Sequence, residues 1–254
     1  MRILGIIPVR YHSSRFPGKA LADVHGKTMV QRVYEQAKQT VGLDRVVVAT
    51  DHTTILKHIT EFGGKACMTS EDHPSGTDRC REALDLEPDE YDFVVNIQGD
   101  EPFIDPRQIE ELCKNLLPDI QIATQAKLIE QQENLIDPNC VKVIIDSQGN
   151  AIYFSRSPLP FQKNRSINHW LSSYQYYQHI GIYAYRTDIL REITKLPVSP
   201  LEQAEGLEQL RWLENGYSIK VLTTHYQAHG IDTPEDLRKA LAKISTKSQI
   251  TNSK

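Results

Sequence analysis

The stretch "ILGIIPV" (residues 3–9) is apolar at almost every position, which is the pattern of a strand buried on both faces. "RVVVATD" (45–51) repeats that pattern, "KACMT" is a shorter strand, and "YDFVVNIQGDEP" is a strand that runs into a loop. Helical segments lie between them. "GKTMVQRVYEQAKQT" has Thr28 as its cap and Gln31 three residues on. "HTTILKHITEFGG" closes on glycine, and "DRCREALDL" follows a small-residue loop in which Thr77 or Asp78 is the expected cap. "DPRQIEELCKNL" opens with Asp105 as cap, Pro106 at the first helical position and Gln108 closing a box. This alternation predicts an α/β fold, a mostly parallel sheet with helices on both faces. Ligands of such sheets bind beyond the carboxyl ends of the strands, so loops 10–19, 68–79 and 98–105 are expected to converge at one edge.

The second half has a different period. "CVKVIIDSQGNAIYFSRS" reads as a hairpin around a Gly-containing turn, and "HIGIYAY" alternates as a half-buried strand does. "SPLEQAEGLEQLRWLENG" reads as one helix, with Ser199 as cap, Pro200 first, Glu202 closing the box and Gly216 as stop. On that helix Glu205, Glu208, Gln209 and Trp212 share a face. "YSIKVLTT" is a strand, and "TPEDLRKALAKI" a final helix capped by Thr233. No linker or repeat interrupts the chain. It reads as a single domain over 1–245, with a β-rich insertion at about 140–186 and a flexible tail at 246–254.

Composition narrows the function classes. The chain has 254 residues and a formal net charge of −4, which argues against broad binding to nucleic acid. No apolar run approaches the roughly 20 residues of a membrane span, and no small-residue cleavage site follows the first strand. Cys67, Cys80, Cys113 and Cys140 are scattered without a CxxC pair, which suits reduced thiols in a cytoplasm and gives neither a disulfide framework nor a zinc site.

Charge is instead local. The loop "RYHSSRFPGK" (10–19) sets Arg10, Arg15 and Lys19 among serines and a glycine directly after a buried strand, where backbone amides and cations can cradle phosphate oxygens. It is not a Walker loop, because Ala20 follows Lys19 where Ser or Thr is needed. "NIQGDEP" places Asp100, with Glu101 as the lesser candidate, where a hard divalent cation can be held against phosphates. Asp232 in "HGIDTPEDL" is a second carboxylate, with an alternative use at the start of a helix. Arg156 and His179, in aromatic strand-like surroundings, and the acidic helix face are candidates for holding a polyhydroxylated ligand, with Arg156 pairing a carboxylate.

The ordered motifs "PVRYHSSRFPGKAL", "DHPSGTDR", "VNIQGDEP", "HIGIYAY", "PLEQAEGLEQLRWLENG" and "GIDTPEDL" resemble those of the 3-deoxy-manno-octulosonate (KDO) cytidylyltransferase family, over about residues 2–245. The resemblance implies a Rossmann-like nucleotidyltransferase fold, usually a cytoplasmic homodimer, that couples CTP and KDO with Mg²⁺ for lipopolysaccharide synthesis. It implies that Arg10, Ser14, Arg15 and Lys19 bind the triphosphate, and that Gly76, Thr77, Arg79 and Gln98 lie around the cytidine. It further implies that Asp100 and Asp232 ligate magnesium and that Arg156, His179, Tyr183, Glu208 and Gln209 hold the sugar acid. A related ulosonic acid (an 8-amino variant of KDO, or sialic acid) is the nearer alternative substrate, and a non-catalytic nucleotide-binding protein is the more distant alternative.

Overall fold

The computed structural model describes residues 1–13, 15–226 and 230–251, with side chains in the last helix as far as Ala242. In chain order the elements begin with β1 (Ile3–Val9), α1 (Met29–Lys38), β2 (Arg45–Thr50), α2 (Thr53–Glu61), β3 (Ala66–Met68), α3 (Gly76–Leu86), β4 (Phe93–Asn96) and α4 (Pro106–Lys114). Next come β5 (Ile122–Leu128), α5 (Gln132–Ile136), β6 (Lys142–Ile145), β7 (Ala151–Ser155) and β8 (Tyr177–Arg186). The chain continues with α6 (Thr187–Ile193), α7 (Pro200–Glu205), α8 (Gln209–Glu214), β9 (Ile219–Thr223) and α9 (Pro234–Thr251). It divides into two compact units. One comprises Arg2–Tyr91, Asn96–Glu110 and Ala228–Lys254; the other comprises Met1, Asp92–Val95 and Glu111–Gln227.

In the first unit the strand order is β3-β2-β1, all parallel, as the apolar runs require. Ile3, Leu4, Ile6 and Ile7 are buried, and Val46 to Ala49 on β2 likewise, so both faces of these strands are covered. Thr28 caps α1 by accepting from the Gln31 amide. The cap of α3 is Ser75, whose hydroxyl accepts from the Asp78 amide, rather than Thr77 or Asp78. The helix therefore starts earlier than its charged residues suggest, and Thr77 is buried in its first turn. α9 runs on to Thr251, past Ile244 where the apolar pattern fades.

In the second unit the order is β4-β8-β5-β9, with β5 antiparallel to β8 and parallel to β9. The expected hairpin is β6 and β7, and β6 also pairs with β8. β5, α5 and α6 have no counterpart in the sequence reading.

The expected single helix over 199–216 is two. Gly206 adopts a left-handed conformation (φ 63°) that ends α7, and α8 begins three residues later. Glu205 therefore leaves the face it was expected to share with Glu208, Gln209 and Trp212. The capping box at Ser199 and Glu202 is present. Glu202 also receives both ends of the buried Arg211 guanidinium, at 2.6 and 2.7 Å.

Burial pushes the Glu202 carboxyl up, but the hydrogen bonds from Arg211 and from the Ser199 amide overcome this and hold it below its ordinary value of 4.5. A depressed carboxylate stabilises the fold above the unfolded-state value, so this contribution is present at neutral pH and is lost as the pH falls below about 4.5. Glu202→Gln keeps the cap acceptor but strands the Arg211 charge, and the expected loss is about 2 kcal/mol in urea denaturation. A loss below roughly 0.5 kcal/mol would show that solvent already screens the pair.

Candidate functional site

Three chain segments of the first unit meet in a cavity of about 340 Å³ beyond the carboxyl ends of its strands. The loop after β1 contributes Arg10, Ser13, Arg15 and Lys19; the loop after β4 contributes Gln98, Gly99 and Asp100; the turn before α9 contributes Asp232. Loop 68–79, expected at the same edge, does not line this cavity. Ser14 lies outside the described residues.

Lys19 is the centre of the arrangement. Its Nζ donates to Asp100 Oδ2 at 2.7 Å and to Asp232 Oδ1 at 3.0 Å, while Arg15 reaches Asp232 Oδ2 at 3.2 Å. The carboxylates are held in place by backbone as well: the Ile231 amide donates to the Asp100 carbonyl at 2.9 Å. Ile231 in turn is buried with Val24 and Met29, against which Phe16, Phe103 and Leu237 pack. The Thr233 hydroxyl accepts from the Asp236 amide and so starts α9 directly after Asp232.

Two carboxylate oxygens that converge on one ammonium form a donor set that fits Mg²⁺, which takes one or two carboxylates and completes its shell with water and phosphate oxygens. Among the described residues no cluster of three or more His, Cys, Asp or Glu side chains is present, so these two would be the protein's share. Glu101 faces inward: burial, reinforced by the Asp100 charge, pushes its carboxyl up to about 8.

Of the residues expected around a nucleoside, Gln98 lines this cavity, while Gly76, Thr77 and Arg79 do not. Gly76 opens α3 where a Cβ would stand 3.3 Å from Pro8 Cγ. Arg79 is buried, and its guanidinium donates to Thr69 Oγ1 at 2.6 Å, the Ser70 carbonyl at 3.1 Å and Asp51 Oδ2 at 3.1 Å. Asp51 also accepts from the Tyr11 amide at 3.0 Å, so one carboxylate braces the phosphate-type loop against α3. The reading of the sequence passed over Asp51, although it is an acidic residue at a strand exit, as Asp100 is.

The second unit gathers the other candidates. Trp212 is fully buried, edge-on to Tyr183 at 5.2 Å between centroids, and Gln209 is buried beside it on α8. Tyr183 Oη is buried with no hydrogen-bond partner among the described residues; burial, with the nearby Glu208 charge, raises its pKa well above 10. Burial also pushes His179 down to about 3, so its imidazole is neutral at physiological pH. The register of β5 against β8 slips between Thr124 and Gln125, which face Tyr183 and Ile180 respectively. Gly181 and Ile182 thus bulge from the ladder. Residues four apart in a regular strand are about 13 Å from each other, yet the rings of His179 and Tyr183 lie 5.3 Å apart.

Arg156 is the residue expected to pair the carboxylate of a ligand. Within the chain its guanidinium donates to the carbonyls of Glu205 (2.7 Å), Pro138 (3.0 Å) and Gly206 (3.3 Å), while its amide donates to Glu205 Oε2 at 2.9 Å. The break at Gly206 is what leaves the Glu205 and Gly206 carbonyls free to accept from it.

The sequence pattern of the family described as Cytidylyltransferase matches residues 4–220. A 3-deoxy-manno-octulosonate cytidylyltransferase of Parabacteroides distasonis is 52% identical over 253 residues, covering 97% of this chain and 100% of the relative. The chain belongs to the 3-deoxy-manno-octulosonate cytidylyltransferase family. A solved structure of CMP:2-keto-3-deoxy-manno-octonic acid synthetase complexed with CTP superposes with a TM-score of 0.90 at 41% identity, covering 97% of this chain and 100% of that one. A 4-diphosphocytidyl-2C-methyl-D-erythritol synthase from Anaerococcus prevotii, 15% identical over 96% of each chain with a TM-score of 0.63, shares the fold alone. Asp232 lies beyond the segment matched by the cytidylyltransferase pattern; its place in the site rests on the Lys19 contact.

Close packing at Gly99 keeps the cavity floor in place. A Cβ there would sit 2.4 Å from Val9 Cγ1 and 3.1 Å from the Pro8 carbonyl oxygen. Gly99→Ala is expected to destabilise the protein by about 1–3 kcal/mol through forced separation of these strand ends. An unchanged thermal midpoint would mean that the two segments part without strain.

Proposed function

We propose that this chain is a 3-deoxy-manno-octulosonate cytidylyltransferase, which joins CTP and KDO into CMP-KDO and pyrophosphate for lipopolysaccharide synthesis. The observation that carries the reading is the meeting of Lys19, Asp100 and Asp232 beside the cationic loop. The C2 hydroxyl oxygen of KDO forms a bond to the α-phosphorus of CTP, the bond from that phosphorus to the pyrophosphate oxygen breaks, and the hydroxyl proton is released. No covalent enzyme intermediate is required, so positioning and charge stabilisation supply the rate.

Arg10, Arg15 and Lys19 offset triphosphate charge, with Ser14 and Gln98 as further nucleotide contacts. Asp100 and Asp232 hold Mg²⁺, which when bound supplies positive charge against the phosphates. Arg156 gives a cation for the sugar carboxylate, and His179, Tyr183, Glu208 and Gln209 give polar contacts for hydroxyls. A homodimer and a cytoplasmic location belong to the same proposal and are supported by the family resemblance; sedimentation and cell fractionation read them. No helix among the described residues is long and apolar enough to cross a membrane.

Pyrophosphate release is the direct test. It should require both CTP and a sugar acid, and be fastest with KDO in a panel of four nucleotides and several ulosonic acids. A faster reaction with sialic acid or the 8-amino sugar would reassign the substrate, and none with any pair would refute the activity.

Lys19→Ala should lower turnover by about 10²-fold or more, by analogy with a lost oxyanion donor. Unchanged turnover removes Lys19 from the mechanism. Asp100→Asn should lower activity with the circular dichroism spectrum intact, and a normal magnesium dependence in that variant would displace the metal site.

A further inference from the structure

Thr124 lies inside the β5/β8 bulge and is fully buried. Its Oγ1 is 2.7 Å from the Ile182 carbonyl oxygen, 3.1 Å from the Ile180 carbonyl oxygen and 3.1 Å from His179 Nε2. A threonine hydroxyl has one proton to donate and lone pairs to accept with. Carbonyl oxygens only accept, and two oxygens 2.7 Å apart with no proton between them repel. The Thr124 proton therefore points to Ile182, and Oγ1 presents lone pairs to the imidazole. A hydrogen bond at that contact needs the proton of the neutral ring on Nε2.

The other nitrogen is then bare. In a neutral imidazole, whichever nitrogen lacks the proton is an acceptor, and the choice follows from what the opposite nitrogen bonds. His179 Nδ1 has no hydrogen-bond partner among the described residues. Desolvation keeps the ring uncharged, so this acceptor persists across the physiological range. The nearest aromatic neighbours are Phe154, edge-on at 5.0 Å, and Tyr183 at 5.3 Å; neither donates to it.

We propose that Thr124 is a positioning residue that fixes His179 as the Nε2–H tautomer, so that Nδ1 accepts a hydrogen bond from a hydroxyl of the sugar acid. The sugar half of this statement rests on the proposed activity; the tautomer half does not. The hydroxyl has a second effect, because its bond to the Ile182 carbonyl satisfies a group that the bulge removes from the ladder.

The test uses the full chain with ¹⁵N-labelled histidine. Two-bond ¹H–¹⁵N correlation should show His179 as the Nε2–H tautomer in the unsubstituted protein. Thr124→Val keeps the shape and removes the hydroxyl. It is expected to lose the tautomer preference and raise KM for the sugar acid about tenfold, with KM for CTP and kcat within about twofold of the parent. Thr124→Ser should behave as the parent does. An Nδ1–H tautomer in the parent overturns the proposal, as does an unchanged sugar KM in Thr124→Val. Where Thr124→Val does not fold, the parent spectrum and Thr124→Ser decide. If the parent releases no pyrophosphate with any sugar acid, the acceptor role falls with the activity, while the spectrum still reads what Thr124 does to the ring.

Discussion

Two carboxylates that face one another repel, and the Lys19 ammonium between Asp100 and Asp232 is what makes their approach stable. The surrounding structure serves that contact. A buried strand delivers the loop bearing Lys19, a second strand exit delivers Asp100, and the Ile231 amide bonded to the Asp100 carbonyl fixes Asp232 before its helix begins. Because Lys19 and Asp100 are only 18% and 27% exposed, the interaction is less screened by water than a surface pair. A site prepared in this way offers both signs of charge: cations for phosphate oxygens and carboxylates for a divalent ion.

The second unit follows a different chemistry. Three of its five candidates are neutral at physiological pH: the His179 imidazole, the Tyr183 phenol and the Gln209 amide. Neutral hydrogen-bonding groups with aromatic walls suit a polyhydroxylated ligand, where each hydroxyl needs a partner and none brings charge. Glu208 and Arg156 are the charged members, and the Arg156 guanidinium is oriented by backbone carbonyls. The division matches a reaction in which one substrate is polyanionic and the other a hydroxylated acid.

Much of this was legible in the chain, for identifiable reasons. Lys19 and Asp100 could be found because each lies in a loop that follows a buried strand, and a charged side chain at a buried strand's exit has few structural uses. Asp232 was only half legible, since a carboxylate ahead of Thr233 also suits a helix start; the structure adds its contact with Lys19, which the sequence does not show. Gly206 was hidden inside a segment with sound signals at both ends, and only its left-handed backbone reveals the break. β5 was missed because Thr124, Gln125 and Lys127 interrupt its apolar pattern. Thr124 is nevertheless fully buried, because the bulge supplies the carbonyl that its hydroxyl needs. Such satisfaction is a tertiary fact that no local window contains.

The span of the Lys19–Asp232 contact, 213 positions, also bears on how the protein is made. Synthesis proceeds from the amino end, so Lys19 and Asp100 leave the ribosome long before their third partner exists. A nascent chain can assemble the parallel strands and the cationic loop early, but its carboxylate pair is completed only when the turn ahead of α9 has emerged. The cationic loop thus precedes the completed carboxylate pair during biogenesis, and the Lys19–Asp100–Asp232 contact closes only after more than two hundred further residues have been added.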